Sequence, residues 1–516
     1  MPTSILKSGL TLVLGGLLLG AGRPAAAQTA PANRFLTDSL DAYVQRGLKQ
    51  WELPGLAIVV VKNGQVVVSK GYGVRAVGKP EPVDANTLFM IASNTKLFTG
   101  MALAKLDEDK KISLDDRVNQ YLPGYQLYDS ASSRLVTVRD LMGHHFGFKT
   151  FQGDFTFFNS NLSREDIIYR MRLMKPGGQF RREYGYCNSG FVAAGQVIPA
   201  ATGGTSWEEY VRQNILRPLG MTSTSMNSAG FEQQPNHALA YSNTFGPLAP
   251  VPFDNWDNMG PCGSMISNVT DLGKWLQFQL DSGRYQGQRV LPWSVLRKTR
   301  DANTLLSTRR STVRPTHFTT YGLGVLSTDY SGRQVFWHTG GASGQVSNVC
   351  FVPEEGLGIA ILTNNDNQSF FEALRYQILD SYLGVPYVNR SGQSLKAARA
   401  ARLVDNPTKK LDARVSRKAK LPLKLNDYTG NFENALFGSI IIAPKNKQQL
   451  LVRFPTHPGL TATLDYMDGQ EFRCTYSNLV FGVQPAVFKV EGGKVTGVQL
   501  QANDYVEEDP YLFSKR

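Results

Sequence analysis

Two hydrophobic periods alternate along this chain. An unbroken apolar run at residues 55–61 and a β-branched run at 65–69 flank Lys62-Asn63-Gly64. Asn-Gly between such runs predicts a hairpin, because both residues accept the positive φ of a two-residue turn. Over 93–106, Leu97, Met101 and Ala104 fall at helical spacing. Residues 335–337, 346–352 and 357–362 read as three consecutive strands, with a turn at Pro353-Glu354-Glu355-Gly356 between the last two. Strands at both ends of 28–390, with helices and Gly/Pro-rich loops between, predict an α/β layer on an antiparallel sheet. Beyond residue 420 the pattern changes. Short β-branched runs at 439–442, 450–452, 486–490 and 495–499 predict a small all-β domain over 421–516.

The first 27 residues read as an address rather than a fold. Lys7 precedes an apolar stretch at 10–21, and Ala25-Ala26-Ala27 offers a small-residue cleavage site. That stretch is short for a membrane span, which takes about 20 residues. The expectation is a cleaved signal peptide and a periplasmic or secreted protein with no transmembrane segment. Loss of Lys7 and Arg23 would lower the net charge from +13 to +11. Residues 391–420 carry nine Lys/Arg against Asp405 and Asp412, a local +7. They read as a solvated, partly helical basic linker. Weak electrostatic contact with anionic envelope surfaces is the functional alternative. The stretch lacks interleaved aromatics, and an exported chain meets little nucleic acid, so no nucleic-acid partner is expected.

Composition narrows the chemistry. Four cysteines in 516 residues exclude a disulfide framework, and no C-x-x-C pair occurs. The six histidines form no H-E-x-x-H pattern. The tandem His144-His145 points its two rings apart on an extended segment. No metal or cofactor is expected.

Three short motifs remain. Ser93-Asn94-Thr95-Lys96 puts a serine and a lysine on one helical face. A serine hydroxyl needs a base within hydrogen-bond reach, and a desolvated lysine can be that base. The motif is weak alone, since Ser4 and Lys7 repeat its spacing inside the leader. Tyr186-Cys187-Asn188 offers a phenol that an adjacent ammonium would acidify for proton relay. Other Tyr-x-Asn triplets occur at 241, 387 and 476. Tyr186 stands out because it follows Pro176-Gly177 and precedes a helical stretch at 189–200. His338-Thr339-Gly340-Gly341 ends a predicted strand, where glycines allow close approach of backbone to substrate. The N–H groups of Ser93 and Gly341 would form an oxyanion hole.

Together, in this order, the motifs are the parts of an acyl-transfer site. The chain resembles the β-lactamase-related serine hydrolase family, which includes class C β-lactamases, D-Ala-D-Ala carboxypeptidases, D-aminopeptidases and esterases. The likeness spans about residues 40–385. Landmarks beyond the motifs include residues 53–58, 87–92, 217–221, 263–267 and 353–358. The resemblance implies an α+β fold: an antiparallel sheet flanked by helices, plus a helical subdomain, with the site between them. It implies Ser93 as acylated nucleophile and Lys96 with Tyr186 as acid-base pair. Asn188, His338, Thr339, Gly340 and Gly341 would bind substrate, with Asn188 on its amide. The tail, around residues 427–432, resembles an all-β domain of unknown function that is often appended to such hydrolases. His338 departs from the lysine usual in lactamases and penicillin-binding proteins, and an imidazole attracts a carboxylate less than an ammonium does. The implied substrate is a small peptide, amide or ester, with D-amino-acid peptides first, esters second and β-lactams third. The alternative from another class is a penicillin-binding-like protein that binds without turnover.

Overall fold

The computed structural model describes residues 33–404 and 407–516, so the predicted leader over 1–27 lies outside the described residues. Its centre is an eight-stranded antiparallel sheet. The strands run in the order Gln65–Gly73, Gly55–Lys62, Leu357–Thr363, Gln345–Val352, Arg333–Ala342, Leu326–Tyr330, Thr319–Tyr321 and Thr304–Ser307. The predicted hairpin opens the sheet. Lys62 faces Gln65, and Asn63 (φ 50°) and Gly64 (φ 78°) make the two-residue turn.

Strand Gly55–Lys62 shows why both faces of the sheet are covered. Its side chains divide by parity: Leu56, Ile58 and Val60 enter one core, and Ala57, Val59 and Val61 enter the other. A strand with two apolar faces needs a layer on each. Helices Leu40–Trp51 and Phe370–Leu383 cover the first face through Leu40, Val44, Leu48, Phe370 and Leu374. Helices Thr95–Glu108 and Val269–Leu280 lie on the second. Helix Asn188–Thr202 packs behind them among short helices, as the predicted helical subdomain. The basic stretch carries two helices, Arg390–Val404 and Pro407–Ser416. The second lies on the tail through Arg414, whose guanidinium donates to Asp468 and Glu471.

The tail is a closed eight-stranded barrel from Gly430–Asn434 to Tyr511–Lys515, and its first and last strands pair at Phe432–Lys515 and Glu433–Ser514. Alternate residues fill it, including Ile440, Ile442, Leu450, Val452, Leu464 and Phe472. Its core is continuous with that of the helical side. Phe155, fully buried on a short helix of the larger part, meets Phe437 at 4.9 Å and Tyr511 at 5.4 Å between ring centroids. No helix among the described residues is long and apolar enough to cross a membrane.

A shared core has a thermodynamic consequence. Phe155→Ala should destabilise the protein by about 3–5 kcal/mol, the usual range for emptying a buried aromatic site. Urea unfolding followed by tryptophan fluorescence should show one transition moving to lower denaturant. Two well-separated transitions in the unmodified protein would contradict the shared core.

Candidate active site

The strand Phe89–Met90 leads into a single 3-10 turn, Ala92–Asn94, and then into helix Thr95–Glu108. Ser93 therefore sits on the turn before the helix, and Lys96 on its first turn. Ala92 adopts φ 46° while fully buried. A non-glycine residue held there costs roughly 1–3 kcal/mol, so the surrounding packing fixes this turn.

Lys96 is fully buried. Its Nζ lies 3.1 Å from Ser93 Oγ and donates to Asn188 Oδ1 (2.7 Å) and to the Cys262 carbonyl (2.9 Å). None of these partners is a carboxylate. Burial pulls the ammonium down to about 8, so a useful fraction is free amine near neutral pH. The ring of Tyr186 lies under the same Nζ, at 4.6 Å from its centroid. Here the structure corrects the sequence expectation. Burial pushes the Tyr186 phenol well above its ordinary value, and the Ser93 hydroxyl beside it only partly offsets this. Tyr186 therefore rests protonated.

Asn188 opens helix Asn188–Thr202. Its oxygen faces Lys96, and its nitrogen donates to Asp154 Oδ2 at 2.6 Å. Burial raises the Asp154 carboxyl well above the usual carboxylate range. His338 is pinned from both sides: Nδ1 is 2.8 Å from the Thr339 carbonyl, and Nε2 is 3.0 Å from the Tyr321 hydroxyl. A carbonyl can only accept, so Nδ1 carries the proton and Nε2 accepts. Burial lowers His338 to about 3, which makes it a neutral group. Thr339 Oγ1 accepts from Asn348 at 2.9 Å.

The two glycines differ. A Cβ on Gly340 would collide with the Ile91 carbonyl and stand 2.9 Å from Ser93 N. Gly340 thus lets its strand pack against the Ser93 turn, rather than admitting substrate as its position in the sequence suggests. Gly341 has open space where a side chain would be. Ser93, Tyr186, Asn188, His338, Thr339 and Gly341 all border one cavity of about 550 Å³. Aromatic residues contribute to its walls, among them Trp51, Phe151, Phe158, Tyr184, Phe245 and Trp256, and the carboxyl groups of Asp154 and Asp366 also line it. No Lys or Arg is among its lining residues.

The β-lactamase family profile matches residues 40–383. The chain belongs to the β-lactamase family. The unguisins hydrolase ungD' of Aspergillus campestris is 27% identical over 434 residues, covering 79% of this chain and 78% of its own. Protein flp of Staphylococcus aureus is 26% identical over 362 residues, covering 67% and 68%. Among solved structures, the octameric penicillin-binding protein homologue from Pyrococcus abyssi superposes with a TM-score of 0.59 at 22% identity, over 92% of this chain and 99% of that one. A D-stereospecific amidohydrolase from Streptomyces sp. gives 0.52 at 25% identity, over 63% and 94%. The chain is therefore a serine hydrolase of the β-lactamase fold, extended by a C-terminal barrel.

Within this β-lactamase-family site, four groups lie outside the motifs. They are Asp154 behind Asn188, Tyr321 on His338, the Cys262 carbonyl on Lys96, and His144. The buried His144 ring packs 4.4 Å from that of Tyr186 and accepts the Cys187 N–H at 3.1 Å. Its neighbour His145 faces Asp140 at 2.8 Å, so the tandem histidines serve different contacts.

Gly340→Ala tests the packing of the Ser93 turn. The added methyl should displace Ser93 and lower kcat by roughly 10²-fold, the cost of about 1 Å of misplacement. Circular dichroism should remain native. Unchanged kcat would show that the turn does not depend on this contact.

Proposed function

We propose that this β-lactamase-family protein is an exported hydrolase that cleaves amide bonds of small substrates, D-amino-acid peptides first, through an acyl-enzyme on Ser93. The observation that carries this reading is the 3.1 Å pair of Ser93 Oγ and a buried Lys96 without a carboxylate partner. Free Lys96 takes the Ser93 proton as Oγ attacks the substrate carbonyl. The N–H groups of Ser93 and Gly341 receive the oxyanion, each donor contributing roughly 3–4 kcal/mol in the transition state. Protonated Tyr186 gives its proton to the leaving nitrogen and regains one from the Lys96 ammonium. Water then attacks the acyl carbonyl, with the same groups run in reverse. Asn188, held by Lys96 and Asp154, offers its remaining N–H to the substrate amide.

Two features support amides over β-lactams. His338 is neutral, and no Lys or Arg side chain lines the cavity, so nothing there clamps a substrate carboxylate. The likeness to a D-stereospecific amidohydrolase points the same way. Esters rank second, since the machinery is the same and their leaving group needs less help. The predicted leader supports export to the periplasm or medium.

Ser93→Ala should abolish turnover of a D-alanyl anilide, with a loss of roughly 10³–10⁶ in kcat. Lys96→Ala should cost nearly as much, and the double variant little more, because the two act as one unit. Near-normal turnover in the Ser93 variant would end this reading. For the unmodified protein, kcat/KM should fall from D-aminoacyl amide to ester to penicillin. A higher value for penicillin would make it a lactamase. No turnover of any of the three would favour a binding protein.

A further inference from the structure

The barrel reaches into the site through one residue. Glu507 lies between the last two barrel strands and is 2% exposed. Its Oε1 accepts the Gly153 N–H at 2.8 Å; its Oε2 accepts the Phe155 N–H at 3.1 Å and the Tyr511 hydroxyl at 2.8 Å. The two backbone donors flank Asp154. Asp154 Oδ2 in turn accepts from Asn188 at 2.6 Å, and Asn188 Oδ1 accepts from Lys96 at 2.7 Å. An unbroken series of short contacts therefore runs from the barrel to the base that serves the nucleophile.

Adhesion alone explains Glu507 poorly. The two parts already meet through Phe155 and its aromatic cage, and burying a carboxyl there carries a desolvation cost that an apolar residue would avoid. What a carboxyl adds is two acceptors at fixed spacing, which set both N–H groups of one turn. The neighbours of Glu507, Tyr505 and Val506, border the substrate cavity, but Glu507 does not. Burial raises its carboxyl to about 7, with the Gly153 N–H, the Tyr511 hydroxyl and the Phe155 N–H opposing.

We propose that Glu507 is a positioning residue of the catalytic site, which holds Asp154, and through it Asn188 and Lys96, in the reactive arrangement. The barrel is then a working part of the hydrolase rather than an appended module. This inference rests on the Ser93–Lys96 reading of function.

Glu507→Gln keeps the size of the side chain but turns one acceptor into an N–H₂ group facing a backbone N–H. Tyr511→Phe removes the third donor, and with it the acceptor of the Thr156 hydroxyl at 3.4 Å, but leaves both backbone donors in place. Turnover of a D-alanyl anilide is measured per active site, counted by fluorophosphonate titration, beside the unmodified protein and Ser93→Ala. The expected result for Glu507→Gln is a kcat lower by roughly 10²-fold, with KM changed less than about twofold and the pH midpoint of kcat/KM displaced. Tyr511→Phe should show the same pattern, more weakly. A lower melting temperature with unchanged kcat per site and unchanged midpoint would reduce Glu507 to adhesion and overturn the proposal. If Glu507→Gln does not fold, Tyr511→Phe decides by the same readouts. If the unmodified protein has no turnover, or Ser93→Ala retains it, the reading of function fails instead.

Discussion

Lys96 is a cation placed where a cation is unwelcome. It is fully buried, it stands on the first turn of a helix where the backbone dipole opposes positive charge, and none of its hydrogen-bond partners is a carboxylate. Burial then makes the free amine accessible near neutral pH. The surroundings preserve that state. Asn188 and the Cys262 carbonyl orient the nitrogen without neutralising a charge. Asp154, which could have been a counter-ion, stands one residue away behind Asn188, with its own ionisation suppressed by burial. A carboxylate in direct contact would hold the proton on Lys96.

The same economy governs the rest of the site. Tyr186 is kept protonated by burial, and His338 is kept neutral by burial and the nearby Lys96, against the pull of the Thr339 carbonyl. The cavity lining offers aromatic surface and hydrogen-bonding groups, with Asp154 and Asp366 as its carboxyl groups and no Lys or Arg. The barrel closes one side of it with Leu479, Val480, Asn503, Tyr505 and Val506. The two parts share one core, so the cavity wall is anchored on both sides.

What the sequence revealed was local. Ser93 and Lys96 are three residues apart, and Asn63-Gly64 and Pro353–Gly356 are turns whose chemistry is written in the turn itself. Asp154, Tyr321 and Glu507 are not legible, because each meets its partners only across the fold; Glu507 is 353 positions from Asp154 in the chain. The acidity of Tyr186 is hidden for a related reason: spacing suggests a neighbouring ammonium, but burial decides. In the tail, the runs rich in Ile and Val are legible as strands. Strands Thr461–Asp468 and Glu471–Tyr476 are not, although Ala462, Leu464 and Met467, and then Phe472, Cys474 and Tyr476, are buried. Both alternate polar and apolar residues at period two, but neither carries the β-branched run that marks the other strands.

The central claim is that Lys96 is the base, and it is tested most directly by the rate at which a fluorophosphonate labels Ser93, measured against pH by intact mass. The reagent has no group that titrates in this range, so the profile reports the enzyme. Lowering the lysine value makes free amine available at lower pH, so the rate should climb through a midpoint of about 8 and then level off. A rate flat from pH 6 to 9, or one still climbing above pH 10 as an ordinary lysine would dictate, contradicts the account.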